Sequence, residues 1–130
     1  MSGKRVIGGP LVIGGRALSL SRAIRAGDFV FLTGHIPFKN GNVMTEGTVE
    51  EQTRAVLDDI KATLFEAGCT LSDVVKAMVW LRDRADFPGF NLVYGEYFPS
   101  EPPARSAVVS ELLVDVRVEI EVIAYRPEAD

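Results

Sequence analysis

Residues 116–125 read Val-Arg-Val-Glu-Ile-Glu-Val-Ile-Ala-Tyr. Side chains along a strand alternate between its two faces. One face therefore carries Val116, Val118, Ile120, Val122 and Ala124, and the other Glu119, Glu121, Ile123 and Tyr125. The first face is wholly apolar and calls for a layer of helices over it. The second mixes carboxylates with apolar groups. A sheet covered on one side and half apolar on the other implies an α+β sandwich whose open face meets another copy of the chain.

The elements needed for that sandwich lie upstream. From Thr48 to Ala67 the apolar spacing predicts a helix, with Val49, Thr53, Val56, Leu57, Ile60 and Leu64 on one face. Thr48-Val49-Glu50-Glu51 fits a capping box, and Gly68 supplies the stop. A second helix starts at Asp86 as its cap, tolerates Pro88 in its first turn, and carries Phe87, Phe90, Tyr94, Tyr97 and Phe98 as its apolar stripe. Val74 to Leu81 is nearly all apolar, so this strand is expected to be covered on both faces. Strands are also expected at Ala17–Ser21 and Phe29–Gly34, with a turn at Arg25–Asp28 between them. Pro37 to Gly47 reads as loop, and strands at about Arg105–Leu113 and Arg117–Tyr125 follow the prolines at 99–103. The order is β-β-α-β-α-β-β, with two helices on one face of a single sheet.

Composition narrows the function. The 130 residues suit one domain over positions 1–130, with 47% apolar and 25% charged residues. A net charge of −4 and scattered arginines give no footprint for nucleic acid. No apolar run approaches the ~20 residues of a membrane span. Gly8, Gly9, Pro10, Gly14 and Gly15 break the N-terminal run that a signal peptide would need, so a cytoplasmic location is expected. One cysteine, Cys69, and one histidine, His35, leave no intrachain disulfide and a poor basis for a metal site.

Several positions carry candidate chemistry. Arg105 follows Pro102-Pro103, which restrict the backbone ahead of a planar fork of donors. It either clamps a ligand carboxylate or forms a salt bridge to Glu101, Glu111 or a neighbouring subunit. Glu119, between Val118 and Ile120, is either a desolvated acid or base acting on water or a solvated carboxylate paired across the sheet with an arginine. Glu121 shares its face. Thr33-Gly34-His35 either lets backbone approach a ligand or simply ends a strand. Asn91 is open to both kinds of role, as is Tyr94, whose place in the stripe argues for core.

Several stretches together resemble one family. They are Ala23–Pro37, with Thr33-Gly34-His35-Ile36-Pro37 at its end; Glu51–Lys61; Asp73–Lys76; Asp86-Phe87 with Asn91–Tyr94 and Tyr97-Phe98; Pro102–Ser106; and Val118–Ala124. In this order the chain is similar to the RidA, or YjgF-like, family of imine and enamine deaminases over about residues 20 to 125, with the first 15 residues outside the likeness. The resemblance implies a chorismate-mutase-like (ferredoxin-like) fold and a homotrimer with a central barrel and clefts between subunits. It implies no metal and no organic cofactor. It implies hydrolysis of reactive 2-imino and enamine acids, which leak from pyridoxal-phosphate enzymes, to 2-oxo acids and ammonia.

On that pattern Arg105 binds the substrate carboxylate and Glu119 orients or activates water. Gly34 holds the substrate through its backbone, and Thr33 and Asn91 line the cleft. The chain departs from the pattern at Leu20, where many members carry tyrosine, at Ala107, where they carry cysteine, and at His35, where glutamine is common. Leu20 and Ala107 make the cleft more apolar and roomier. They leave open a bulkier substrate, a pathway-specific enamine hydrolase, or a carboxylate-binding protein without catalysis.

Overall fold

Seen in a computed structural model that describes residues 3–128, the chain runs β1 (Lys4–Ile13), β2 (Arg16–Ala26), β3 (Phe29–Leu32), β4 (Phe38–Lys39), β5 (Asn42–Val43), α1 (Val49–Glu66), β6 (Val74–Leu81), α2 (Phe87–Tyr97), β7 (Ala104–Val109) and β8 (Val118–Tyr125). Six strands form one mixed sheet in the order β1-β2-β3-β8-β6-β7. All neighbours are antiparallel except β6 and β7, which run parallel because the α2 crossover links them. β4 and β5 form a separate small hairpin.

Local chemistry sets α1. Its N-terminus carries the expected capping box: the Thr48 hydroxyl accepts from the Glu51 N–H at 3.1 Å, and the Glu51 carboxylate accepts from the Thr48 N–H at 2.9 Å. Gly68 takes the left-handed backbone (φ +80°) that ends it. Val49, Thr53, Val56, Leu57, Ile60 and Leu64 are all buried. They meet Val118, Ile120, Val122 and Ala124 of β8, Val74, Ala77, Val79 and Leu81 of β6, and Phe90, Tyr94 and Phe98 in a single core. The predicted alternation of β8 holds residue by residue, buried on one face and part-exposed on the other.

The structure changes several details of the expected elements. The first strand is longer than Ala17–Ser21 and runs through Arg25 and Ala26, leaving only Gly27-Asp28 as the turn. β3 ends at Leu32, before Gly34. β7 ends at Val109 rather than Leu113. The 37–47 loop contains the β4–β5 hairpin. Asp86 occupies the α2 cap position but makes no capping bond; its carboxylate accepts from Arg117 at 3.1 Å instead. Within one chain β6 is covered only on its helix side, and Val75 and Lys76 are exposed. The N-terminal segment outside the family likeness forms β1, an edge strand paired to β2. Its residues are mostly exposed, so it lacks the burial alternation that announces a strand.

Candidate functional site

One half of the site forms where β3 ends. There the chain leaves the ladder and rejoins it at a single bridge: the His35 N–H donates to the Ile120 carbonyl at 2.8 Å, and the Ile120 N–H donates to the His35 carbonyl at 3.0 Å. That bridge lays Gly34 against Glu119. A Cβ on Gly34 would overlap the Glu119 Oε2 and stand 3.2 Å from its Cδ, so only glycine fits while the carboxylate keeps its place. No described residue accepts from the Gly34 N–H, which leaves a free backbone donor beside a free carboxylate. Partial burial pushes the Glu119 carboxyl above the usual range, and the charge of Glu121 on the same face adds to the rise. The cross-strand neighbour of Glu119 is Trp80, not the arginine that its sequence context allows.

Arg105 forms the second half, on the edge strand β7. It makes no ion pair among the described residues, neither to Glu101 nor to Glu111. Its guanidinium carbon lies 4.8 Å from the Tyr94 ring centroid, 5.4 Å from Phe90 and 5.8 Å from Phe87. The faces of these rings attract the cation and hold it in place, and with no ion pair among the described residues its N–H groups can meet a carboxylate. Ala107, two residues along β7, lines an open groove of about 500 Å³ with Leu81, Arg84, Phe87, Val108 and Val109. Asn91 lies one residue beyond Phe90 on α2, partly buried and without a hydrogen bond among the described residues. Leu20 is partly buried on β2.

The chain does not bring its two halves together. Arg105 pairs with Ala77, which pairs with Val122, and all three face the helices. Glu119 pairs with Trp80, which pairs with Val108, on the open face. Two strand spacings and three residues separate Arg105 from Glu119, about 14 Å between backbones from sheet geometry. Their side chains leave opposite faces. Thr33, Gly34 and Glu119 thus form one group, and Arg105 and Ala107 another.

Two features lie beyond the sequence reading. Phe87, Phe90 and Tyr94 fit a core stripe, yet all three rings also face Arg105. Their shared helical face is the one signal that points there. His35 is buried, with Nδ1 2.7 Å from the Thr33 carbonyl oxygen and Nε2 3.0 Å from Thr63 Oγ1. A lone histidine three residues beyond the end of β3 gives no hint of that bridge.

The chain is similar to known proteins over most of its length. Residues 15–126 match the family described as endoribonuclease L-PSP. A RutC family protein of Pyrococcus horikoshii is 50% identical over 109 residues, covering 82% of this chain and 86% of its own. The 3-aminoacrylate deaminase RutC of Acinetobacter baylyi is 42% identical over 105 residues, covering 79% of this chain and 83% of its own. The mitochondrial protein Mmf1 of Saccharomyces cerevisiae is 38% identical over 109 residues, covering 83% of this chain and 75% of its own. The crystal structure of yeast Mmf1 superposes with a TM-score of 0.85 at 34% identity, covering 95% of this chain and 98% of that one.

Proposed function

The chain belongs to the YjgF/RidA family, described as endoribonuclease L-PSP, and on that footing we propose that it is a deaminase hydrolysing 2-imino and 2-enamino acids to 2-oxo acids and ammonia. The observation that carries this reading is the pair of complementary surfaces. One presents a ring-stacked, unpaired guanidinium. The other presents a free amide beside a desolvated carboxylate.

Each part has a task in that reaction. Arg105 takes the substrate carboxylate with two parallel N–H bonds. The enamine tautomerises to the imine. Water then adds to the imine carbon as Glu119 accepts a water proton and the C=N π pair moves to nitrogen. Glu119 passes that proton to the nitrogen, then takes the carbinolamine hydroxyl proton as the C=O forms and the C–N bond breaks, and hands it to the departing nitrogen, which leaves as ammonia. Atoms and charge balance with water as the only co-reactant. The spontaneous reaction is fast, so orientation and one proton relay are enough.

Because Arg105 and Glu119 leave opposite faces, the site closes only when two copies meet, Arg105 of one facing Gly34 and Glu119 of the next. A closed homotrimer with three such clefts satisfies this requirement. The part-exposed Phe29, Phe31, Val108 and Tyr125 supply apolar area for the contact. No helix among the described residues is long and apolar enough to cross a membrane. The composition supports a cytoplasmic location, while the yeast relative is named mitochondrial. Ribonuclease chemistry finds less support. Net charge is −4, exposed Arg54, Arg82 and Arg126 are each paired to a carboxylate, and the only histidine is buried.

The test uses imines made in situ by an amino-acid oxidase, with semicarbazide trapping what is not hydrolysed. Wild type depletes the imine; Arg105→Ala and Glu119→Gln do not. Mixing the two inactive chains restores activity, to about a quarter of wild type by counting interfaces in randomly mixed trimers. A wild-type protein that binds 2-oxo acids and turns over no imine is a binding protein and ends the deaminase reading. Failure of the mixture ends the shared site.

A further inference from the structure

The Thr33–Gly34 peptide is a planar unit whose carbonyl and N–H point in opposite directions. Whatever fixes the Thr33 carbonyl therefore aims the Gly34 N–H. The group that holds this carbonyl is the ring of His35, at 2.7 Å from Nδ1. A carbonyl only accepts, so Nδ1 carries the proton. In the neutral ring Nε2 then accepts, and its partner at 3.0 Å, the Thr63 hydroxyl, donates. Thr63 Oγ1 accepts in turn from the Arg22 guanidinium at 3.2 Å, which also holds Asp59 at 3.2 Å. Donation runs one way, from Arg22 on β2 through Thr63 on α1 and the ring to the Thr33 carbonyl. No spare donor or acceptor is left on the ring.

We propose that His35 is a positioning residue for substrate binding: as the neutral tautomer it ties the Thr33–Gly34 peptide to α1 and so keeps the Gly34 N–H aimed at the substrate beside Glu119. This rests on the deaminase reading, because only a ligand at Gly34 makes the direction of that N–H matter. The charged groups around the ring are Arg22 on β2, Asp59 on α1 and Glu119 of β8 at the Gly34 turn. Leu11, Ile36 and Phe38, which line the small cavity there with His35, add no charge. Burial, aided by Arg22, outweighs Asp59 and the Thr33 carbonyl and holds the ring below its ordinary pKa. Neutral pH therefore keeps the tautomer the chain of bonds requires.

A glutamine side chain carries one donor and one acceptor at a spacing close to that of the two ring nitrogens, and it does not titrate. His35→Gln keeps both bonds; His35→Leu fills the space and keeps neither. The expected result for His35→Gln is kcat/KM within about threefold of wild type, with the Gly34 amide resonance near its wild-type position. His35→Leu loses about tenfold or more, mainly through KM, and its Gly34 resonance moves. In wild type that resonance also follows the titration of the His35 ring in acid, and in His35→Gln it does not. A folded His35→Leu protein with wild-type KM and Gly34 resonance overturns the proposal, as does a His35→Gln protein as impaired as His35→Leu. Where His35→Leu does not fold, a wild-type Gly34 resonance indifferent to the ring titration overturns it. Absence of imine turnover in wild type ends the deaminase reading alone, and the resonance comparison still decides the role of His35.

Discussion

A single methyl group at Gly34 separates the role of this turn in catalysis from its role in the fold. The backbone there is not left-handed, so alanine adds no conformational strain. The whole perturbation is contact: the new Cβ overlaps Glu119 Oε2 and stands 3.2 Å from Cδ and 3.5 Å from Cγ. Glu119 is only partly buried and its carboxylate makes no hydrogen bond among the described residues, so the carboxylate can swing aside by about 1 Å to restore ordinary contact. The fold loses little, about 1 kcal/mol at the low end of overpacking costs. For a chain of this size that is about 4 °C in Tm. Chemistry loses far more, because a 1 Å misplacement of a reacting group costs about 100-fold. The oxidase-coupled imine assay, with thermal unfolding followed by circular dichroism, reads both. In a Glu119→Ala background, itself inactive, the same Gly34→Ala change has nothing to strike, and its effect on Tm vanishes. A Gly34→Ala protein with the wild-type rate refutes the assignment. So does a Tm loss that persists undiminished in the Glu119→Ala background.

Four further outcomes follow from the same geometry. The Glu119 carboxylate must be ionised to accept a proton from water, so kcat falls as pH drops through its raised pKa. Glu121→Gln removes one cause of the rise and moves that acid limb to lower pH, readable in a kcat–pH profile. The same raised pKa means that protonated Glu119 favours the fold and that this contribution fades as pH rises through its folded value. Glu119→Gln therefore raises Tm at pH 7, and the gain closes by pH 4 in a melting series. Arg105→Lys keeps the charge but loses the planar fork that Phe87, Phe90 and Tyr94 stack on, so KM for the imine rises by about tenfold or more in steady-state kinetics. The buried Tyr94 hydroxyl has no hydrogen-bond partner among the described residues, so Tyr94→Phe stabilises the chain by about 1 kcal/mol, read from chemical denaturation.

Both half-sites are partly legible in the order of residues alone. Glu119 stands out because a strand position between Val118 and Ile120 has few reasons to hold a charge, and Arg105 because Pro102-Pro103 restrict the backbone ahead of it. Gly34 stands out because a glycine between Thr33 and His35 permits close approach. The partner of each is not legible, because partners come from segments far away in the chain. The sequence around Glu119 allows a cross-strand arginine, and the carboxylate faces a glycine. The sequence around Arg105 allows Glu101 or Glu111, and the guanidinium faces three rings. The family resemblance adds Leu20 and Ala107 to the Thr33 and Asn91 already singled out, and Thr33 lies beside Glu119 and Ala107 on the strand of Arg105.

The sequence by itself determined what is local. Helical spacing and a capping box define α1, period-two alternation defines β8 and its one-sided burial, and both arise from contacts within a few residues or from burial alone. Tertiary structure decided what depends on register between distant strands. The His35–Ile120 bridge puts Gly34 on Glu119, and the parallel β6–β7 pairing puts Arg105 on the opposite face from it. Shifting either register by one residue would turn those side chains to the other face and leave each segment's own pattern unchanged. The division of the site between two surfaces is therefore a property of strand order, which no single segment encodes.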